Sequence, residues 1–252
     1  MFRVIIPSRY GATRLPAKLL MDIHGKSMLE RVYHQACLSQ AEQVMIAADD
    51  ERIFQHAQLF ASDVFMTAIH HSSGTERIAE LVQRLAFDDD DIIVNVQGDL
   101  PLIPPHVIDQ AASYLIDRPS LQMATLCQPI HQMEDIQNPH VVKVIFNSEQ
   151  HAIYFSRLPI PWAPKMTETH EPFERSNVYY KHIGIYAYRV GFIKQYVQWP
   201  VCELERLESL EQLRAIWYGA KIFVGVSEGA HSPTVDTQKD LDRVRELVYP
   251  EI

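Results

Sequence analysis

Apolar positions in the first half of the chain come in short runs that alternate with stretches of helical period. FRVIIP, QVMIAA, DVFM and DIIVNV read as buried strands, and SMLERVYHQACL, ERIFQHAQLF, ERIAELVQRLAF and HVIDQAASYLI as amphipathic helices. Strands that alternate with helices predict crossover units and a mostly parallel sheet covered on both faces, an α/β fold. The helix starts agree, because Ser27 with Glu30 and Ser73 with Glu76 have capping-box spacing and Pro104–Pro105 opens the next helix. From about residue 123 the pattern changes. MATLCQPI, HVVKVIF, AIYFSRLPIPW and YYKHIGIYAYR are longer β-like runs, with turn residues at Asn138–Pro139 and a polar stretch from Pro164 to Asn177. They predict an antiparallel β-rich insertion at about 130–190, followed by helices at about 191–198 and 203–218, a strand KIFVGV and a last helix from about 237 to 248. No repeat or composition break marks a second domain, so 1–252 is read as one.

Composition narrows the classes. With 252 residues the chain is long enough for a sizeable core, and a net charge of −9 argues against a general nucleic-acid binder. No apolar run approaches a membrane span and no basic leader opens the chain, so a protein without membrane insertion is expected. Cys37, Cys127 and Cys202 are odd in number and widely spaced, which predicts buried thiols in a reducing compartment.

In such a sheet ligands sit beyond the carboxyl ends of the strands. IIPSRYGATRLPAKLL places Arg9, Arg14 and Lys18 just past the first strand, with too few glycines for a dinucleotide fingerprint and no P-loop lysine motif. Three cations in an acidic chain suit a polyanion, against the alternative of a solvated loop. IIVNVQGDLP brings Asp99 to a strand end, where Mg²⁺ is held by one or two carboxylates with water and phosphate completing its shell. Asp236, before the last helix, is the best partner, its alternative being a helix N-cap. The run Asp88 to Asp91 precedes the same strand as Asp99, so it reads as a solvated turn at the opposite edge, which also disfavours a glycosyltransferase using it as a metal motif. Ser73, Gly74 and Arg77 open a helix that suits a nucleotide's polar groups, against a plain capping box. In the second half Arg157 would match a carboxylate, and His182, Tyr186, Glu211 and Gln212 would match hydroxyls.

Together IIPSRYGATRLPAKLL, SSGTER, VNVQGDLP, NPHVVKV, YFSRLPIPW, KHIGIYAYR, LESLEQLRAIWYG and VDTQKDL, in order across nearly the whole chain, resemble the 3-deoxy-manno-octulosonate cytidylyltransferases, or CMP-Kdo synthetases. The resemblance implies a Rossmann-like nucleotidyltransferase sheet that moves CMP from CTP to the sugar acid Kdo with Mg²⁺ and releases pyrophosphate. It implies a cytoplasmic homodimer, in lipopolysaccharide core synthesis, whose contacts come from the β-rich insertion. It assigns the triphosphate to Arg9, Arg14 and Lys18, cytosine to Ser73, Gly74 and Arg77, metal to Asp99 and Asp236, and the sugar acid to Gln97, Arg157, His182, Tyr186, Glu211 and Gln212. The first three and the two aspartates are the expected catalytic set. This chain departs from the family's usual LPGKPL at Ala17 and from its usual QGDEP at Leu100. Those two positions motivate the alternatives of a weakened or inactive CTP-binding homologue, beside a cytidylyltransferase for a related keto-deoxy acid.

Overall fold

A computed structural model gives the fold and describes residues 1–11, 14–162, 179–227 and 233–248. In its first half β1 (Arg3–Ser8) leads to a 3-10 turn (Lys18–Leu20) and a small hairpin, β2 (Asp22–Ile23) with β3 (Lys26–Ser27). Helix α1 (Met28–Cys37), β4 (Gln43–Ala48), α2 (Glu51–Ala57), β5 (Val64–Met66), α3 (Gly74–Arg84), β6 (Ile92–Asn95) and α4 (Pro105–Asp117) follow in the expected alternation. Ser27 and Ser73 cap α1 and α3 by accepting the Glu30 and Glu76 amides at 3.1 and 3.2 Å.

The second half runs β7 (Met123–Pro129), α5 (Met133–Gln137), β8 (Lys143–Phe146), β9 (Ala152–Ser156), β10 (Tyr180–Arg189), α6 (Val190–Tyr196), α7 (Glu203–Glu208), α8 (Gln212–Trp217), β11 (Phe223–Val226) and α9 (Gln238–Leu247). The main sheet has the path β11-β7-β10-β6-β1-β4-β5, with the β8–β9 hairpin attached to β10. All strands of that path run one way except β10, which lies antiparallel between β6 and β7. The antiparallel segment is therefore only partly an insertion. Its hairpin extends the sheet, while β10 is a central strand whose tyrosines pack inside. The expected helix over 203–218 is two helices, because Ser209 turns left-handed at φ 52° and ends α7.

Alternate residues of β1 reach opposite faces. Val4 and Ile6 pack with α1 and α4, whereas Ile5 packs with Ile78 and Leu81 of α3 and Ile193 of α6. Burial on both faces explains why these strands read as unbroken apolar runs. Cys127 and Cys202 are buried as expected and burial pushes the Cys127 thiol up to about 12, but Cys37 is exposed because it falls on the solvent side of the last turn of α1.

Gly225 in β11 meets Tyr114 of α4 so closely that an added Cβ would lie 2.2 Å from the ring. The ring cannot retreat easily, since it packs on Phe223 at 4.8 Å and its hydroxyl accepts Gln110 Nε2 at 2.9 Å. Gly225→Ala is expected to cost about 1–3 kcal/mol of stability, seen as a lower urea midpoint with unchanged m-value.

Candidate active site

The C-terminal ends of β1, β4, β5, β6 and β11 face one rim, and the loops leaving them carry most of the chemistry. After β1 the chain is pinned twice by Asp49, which follows β4: Asp49 N donates to Ser8 O at 3.1 Å, and Tyr10 N donates to Asp49 Oδ1 at 2.8 Å. Leu15 and Leu19 are buried on either side of Lys18. Between them Ala17 is left-handed, at φ 54°, a turn that directs Lys18 inward. Gly98 permits this approach, because a Cβ there would lie 3.1 Å from Leu19.

Lys18 is buried and its ammonium donates to Asp99 Oδ2 at 2.6 Å, Asp236 Oδ1 at 3.0 Å and Val235 O at 3.1 Å. Arg14 pairs with Asp236 Oδ2 at 2.9 Å. Burial pulls the Lys18 pKa down, but the two carboxylates outweigh it and the net shift is upward. Burial likewise pushes Asp236 up, and Lys18 and Arg14 reverse that to a net lowering. Asp236 does not cap α9. Thr237 does, in a reciprocal capping box with Asp240, so the Asp236 carboxylate is free to face the rim. Arg9 is exposed and has no ion pair among the described residues.

Two carboxylates converging on one cation form the hard-oxygen set that Mg²⁺ takes when phosphate and water complete its shell. Among the described residues no group of three or more His, Cys, Asp or Glu is placed to hold a metal ion; Asp99 and Asp236 supply two carboxylates, a donor set that could hold Mg²⁺ with phosphate and water completing its shell. Leu100, where a further carboxylate is usual, is buried in the core below the rim.

Ser73 and Gly74 open α3 beside Pro7 of β1. Arg77 is less available than expected. It is buried, and its guanidinium donates to Thr67 Oγ1 at 2.6 Å, Ala68 O at 3.2 Å and Asp49 Oδ2 at 3.3 Å. Arg77 therefore braces the loop after β5 and, through Asp49, the loop after β1.

The antiparallel course of β10 brings its first half to the same rim, with Tyr186 opposite Asn95 of β6 and His182 opposite Cys127 of β7. The His182 ring packs between Phe155 and Tyr186, centroids 5.0 and 5.2 Å away. Thr125, which sequence reasoning missed, donates to Ile185 O at 2.7 Å, so its oxygen accepts from His182 Nε2 at 2.9 Å and leaves Nδ1 as an acceptor. Burial holds the imidazole neutral, its pKa down at about 3. Gln97 donates to Asn95 Oδ1 at 3.1 Å beside Gly184. Arg157 is aimed by carbonyls alone, through Glu208 O at 2.7 Å, Pro139 O at 3.0 Å and Ser209 O at 3.5 Å, and has no carboxylate ion pair among the described residues. Glu208, also not anticipated in this role, fixes the end of β9 by accepting Ser156 Oγ at 2.7 Å and Arg157 N at 2.9 Å. Glu211 accepts Thr75 Oγ1 at 3.0 Å and so joins α8 to α3, and burial raises its pKa despite the Ser73 and Thr75 hydroxyls. Gln212 is buried, with an amide nitrogen that has no partner among the described residues.

The turn Asp88 to Asp91 is at the opposite edge, as expected, with Lys194 paired to Asp89 at 2.7 Å. A groove of about 660 Å³ beside Arg118, His151, Trp199 and Phe223 also lies away from this rim, and none of the site residues lines it.

Comparison with known proteins places the chain in a family. A cytidylyltransferase family model matches residues 3–222. The chain is 48% identical to the 3-deoxy-manno-octulosonate cytidylyltransferase of Coxiella burnetii (strain Dugway 5J108-111), over 97% of this chain and 98% of the relative. It is 49% identical to that of Aliivibrio salmonicida (strain LFI1238), over 98% of each. A solved CMP:2-keto-3-deoxy-manno-octonic acid synthetase complexed with CTP superposes with a TM-score of 0.87 at 38% identity, covering 98% of both chains. A 4-diphosphocytidyl-2C-methyl-D-erythritol synthase shares the fold, with a TM-score of 0.63 at 13% identity.

Two outcomes follow from the site's local physics. Ala17→Gly should raise stability by about 0.5–1 kcal/mol, since the left-handed cost of about 1–2 kcal/mol is partly offset by the entropy glycine adds to the unfolded chain; urea midpoints measure it. His182 is neutral when folded but takes a proton near pH 6.5 when unfolded, so its contribution is complete above that pH and is lost as pH falls towards about 3. The stability advantage of wild type over His182→Gln should accordingly shrink, by up to about 1.4 kcal/mol per pH unit, between pH 6 and 4.5.

Proposed function

Because the chain belongs to the cytidylyltransferase family, we propose that it transfers CMP from CTP to the anomeric hydroxyl of 3-deoxy-manno-octulosonate, giving CMP-Kdo and pyrophosphate. The observation that carries the reading is the convergence of Lys18, Arg14, Asp99 and Asp236 at one rim with Arg157, His182 and Gln212 on the strands and helix beside it. Arg9, Arg14 and Lys18 neutralise and orient the triphosphate. Charge builds on the bridging oxygen and departing pyrophosphate as the α-phosphorus bond breaks, and these side chains stabilise it more than they stabilise the ground state. Asp99 and Asp236 would hold Mg²⁺, which when bound would supply Lewis acidity to lower the pKa of the attacking hydroxyl. Ser73 and Gly74 meet the cytosine, with Arg77 bracing the loops around it.

On the sugar side Arg157 receives the carboxylate. Neutral His182 offers Nδ1 to a hydroxyl, Gln212 its unpartnered amide, and Gln97, Tyr186 and Glu211 complete the polar wall. Analogues that leave these buried groups unpaired are rejected. A homodimer is supported by Ile153, Leu158 and Trp162, three large apolar residues exposed in and just after β9, within the one domain's 130–190 segment. Localisation in the cytoplasm accords with nucleotide substrates, and among the described residues no helix is long and apolar enough to cross a membrane.

Pyrophosphate release should require CTP, Kdo and Mg²⁺ together and fall sharply with UTP or neuraminate. Asp99→Asn should lower kcat by at least about 100-fold, on the scale of losing one key electrostatic stabiliser, with an unchanged circular dichroism spectrum. Normal turnover by that variant would remove Asp99 from the metal site; CTP binding without release would favour a nucleotide-binding protein lacking catalysis.

A further inference from the structure

An ammonium has three N–H donors, and all of those of Lys18 are engaged, by Asp99, Asp236 and Val235. Its side chain is only 11% exposed. In this arrangement Lys18 cannot also grip a phosphate, in contrast to exposed Arg9 and half-exposed Arg14. The carboxylate oxygens it binds are those that fit a divalent ion. The local charge is balanced as well, with Asp99 and Asp236 opposite Lys18 and Arg14. A dication entering alone would have to displace a tethered cation and would leave an uncompensated ammonium in a partly buried site, which is costly. A triphosphate arriving with it gives that ammonium a new partner.

We propose that Lys18 is an exchangeable counter-ion: it holds Asp99 and Asp236 together in the resting protein and moves to the triphosphate as the metal takes its place. The inference rests on the metal and nucleotide reading above and adds a coupling between them. Metal alone binds weakly, nucleotide alone leaves the carboxylates unpaired if it draws Lys18 away, and the two together bind cooperatively. The sign of one substitution separates this role from others. A lysine that only contacts phosphate has no effect on metal affinity when removed, and one that is merely structural loosens both ligands. An exchanging lysine, once neutralised, tightens metal and weakens nucleotide.

The probe is Mn²⁺ without nucleotide, free ion being followed by electron paramagnetic resonance, alongside CTP titration without metal. Lys18→Met and Lys18→Gln should each bind Mn²⁺ about tenfold or more tightly than wild type, as removal of a contacting like charge implies, and bind CTP more weakly. Lys18→Arg should resemble wild type, and Asp99→Asn should lose Mn²⁺ binding. Mn²⁺ should also raise the melting temperature of the neutral variants more than that of wild type. Lys18→Gln retains hydrogen-bond donors between the aspartates and supplies the comparison if Lys18→Met does not melt cooperatively. Neutral variants no tighter for Mn²⁺ than wild type, with binding still lost in Asp99→Asn, would overturn the exchange and leave the metal site standing. Unchanged binding in Asp99→Asn would overturn the metal site and the exchange with it.

Discussion

Carboxylates brought together at a partly buried rim repel unless a cation lies between them, and much of this site's construction serves that requirement. Asp99 leaves β6 and Asp236 precedes α9, and the backbone joins their segments where Val235 N donates to Asp99 O at 3.0 Å. Between them comes Lys18, carried by a loop from β1 that must turn sharply to reach inward. The left-handed Ala17, buried Leu15 and Leu19, and side-chain-free Gly98 are the local means of that turn. Asp49 and Arg77 brace the loop from outside. The charge centre thus depends on ordinary packing several residues away from it.

The reversed central strand β10 joins this centre to the residues proposed for the sugar acid. A parallel β10 would carry His182 to the edge where Asp88 to Asp91 turn; running antiparallel between β6 and β7, it starts at the active rim instead. The β8–β9 hairpin then rests on β10, so that Phe155 backs the His182 ring and Arg157 emerges just beyond. The left-handed Ser209 separates α7 from α8 and lets Glu208 fasten β9 while Glu211 reaches Thr75. The residues proposed for the nucleotide and for the sugar acid consequently share one continuous set of supports.

The first half was legible because local signals and the tertiary result coincide: apolar runs became strands, and serine–glutamate pairs became caps. Asp236 could not be separated from an N-cap by spacing alone, since Thr237 is an equally good cap and only the observed bonds show that it wins. The place of β10 was illegible because an apolar β run looks the same in an insertion and at the centre of a sheet. Arg77 reads as a cation available to a ligand until the structure shows three internal acceptors around it. Thr125 and Asp49 carried no signal, as their roles arise from contacts with residues far along the chain. Cys37 was misjudged because helical context says little about which side of a last turn is covered.

The two departures from the family's usual residues act on different quantities. Leu100 points into the core formed with Leu19, Ile103 and Val107, where a carboxylate would itself need a partner, so its apolar character is matched to its surroundings and removes nothing from the Asp99–Asp236 pair. Ala17 holds a left-handed turn of the kind that a glycine adopts freely, and the cost of its Cβ there falls on stability. Both substitutions therefore leave the charged geometry whole. The case for a chain that binds nucleotide without turning it over rested on these positions, and the surroundings of each account for it by packing and by backbone conformation.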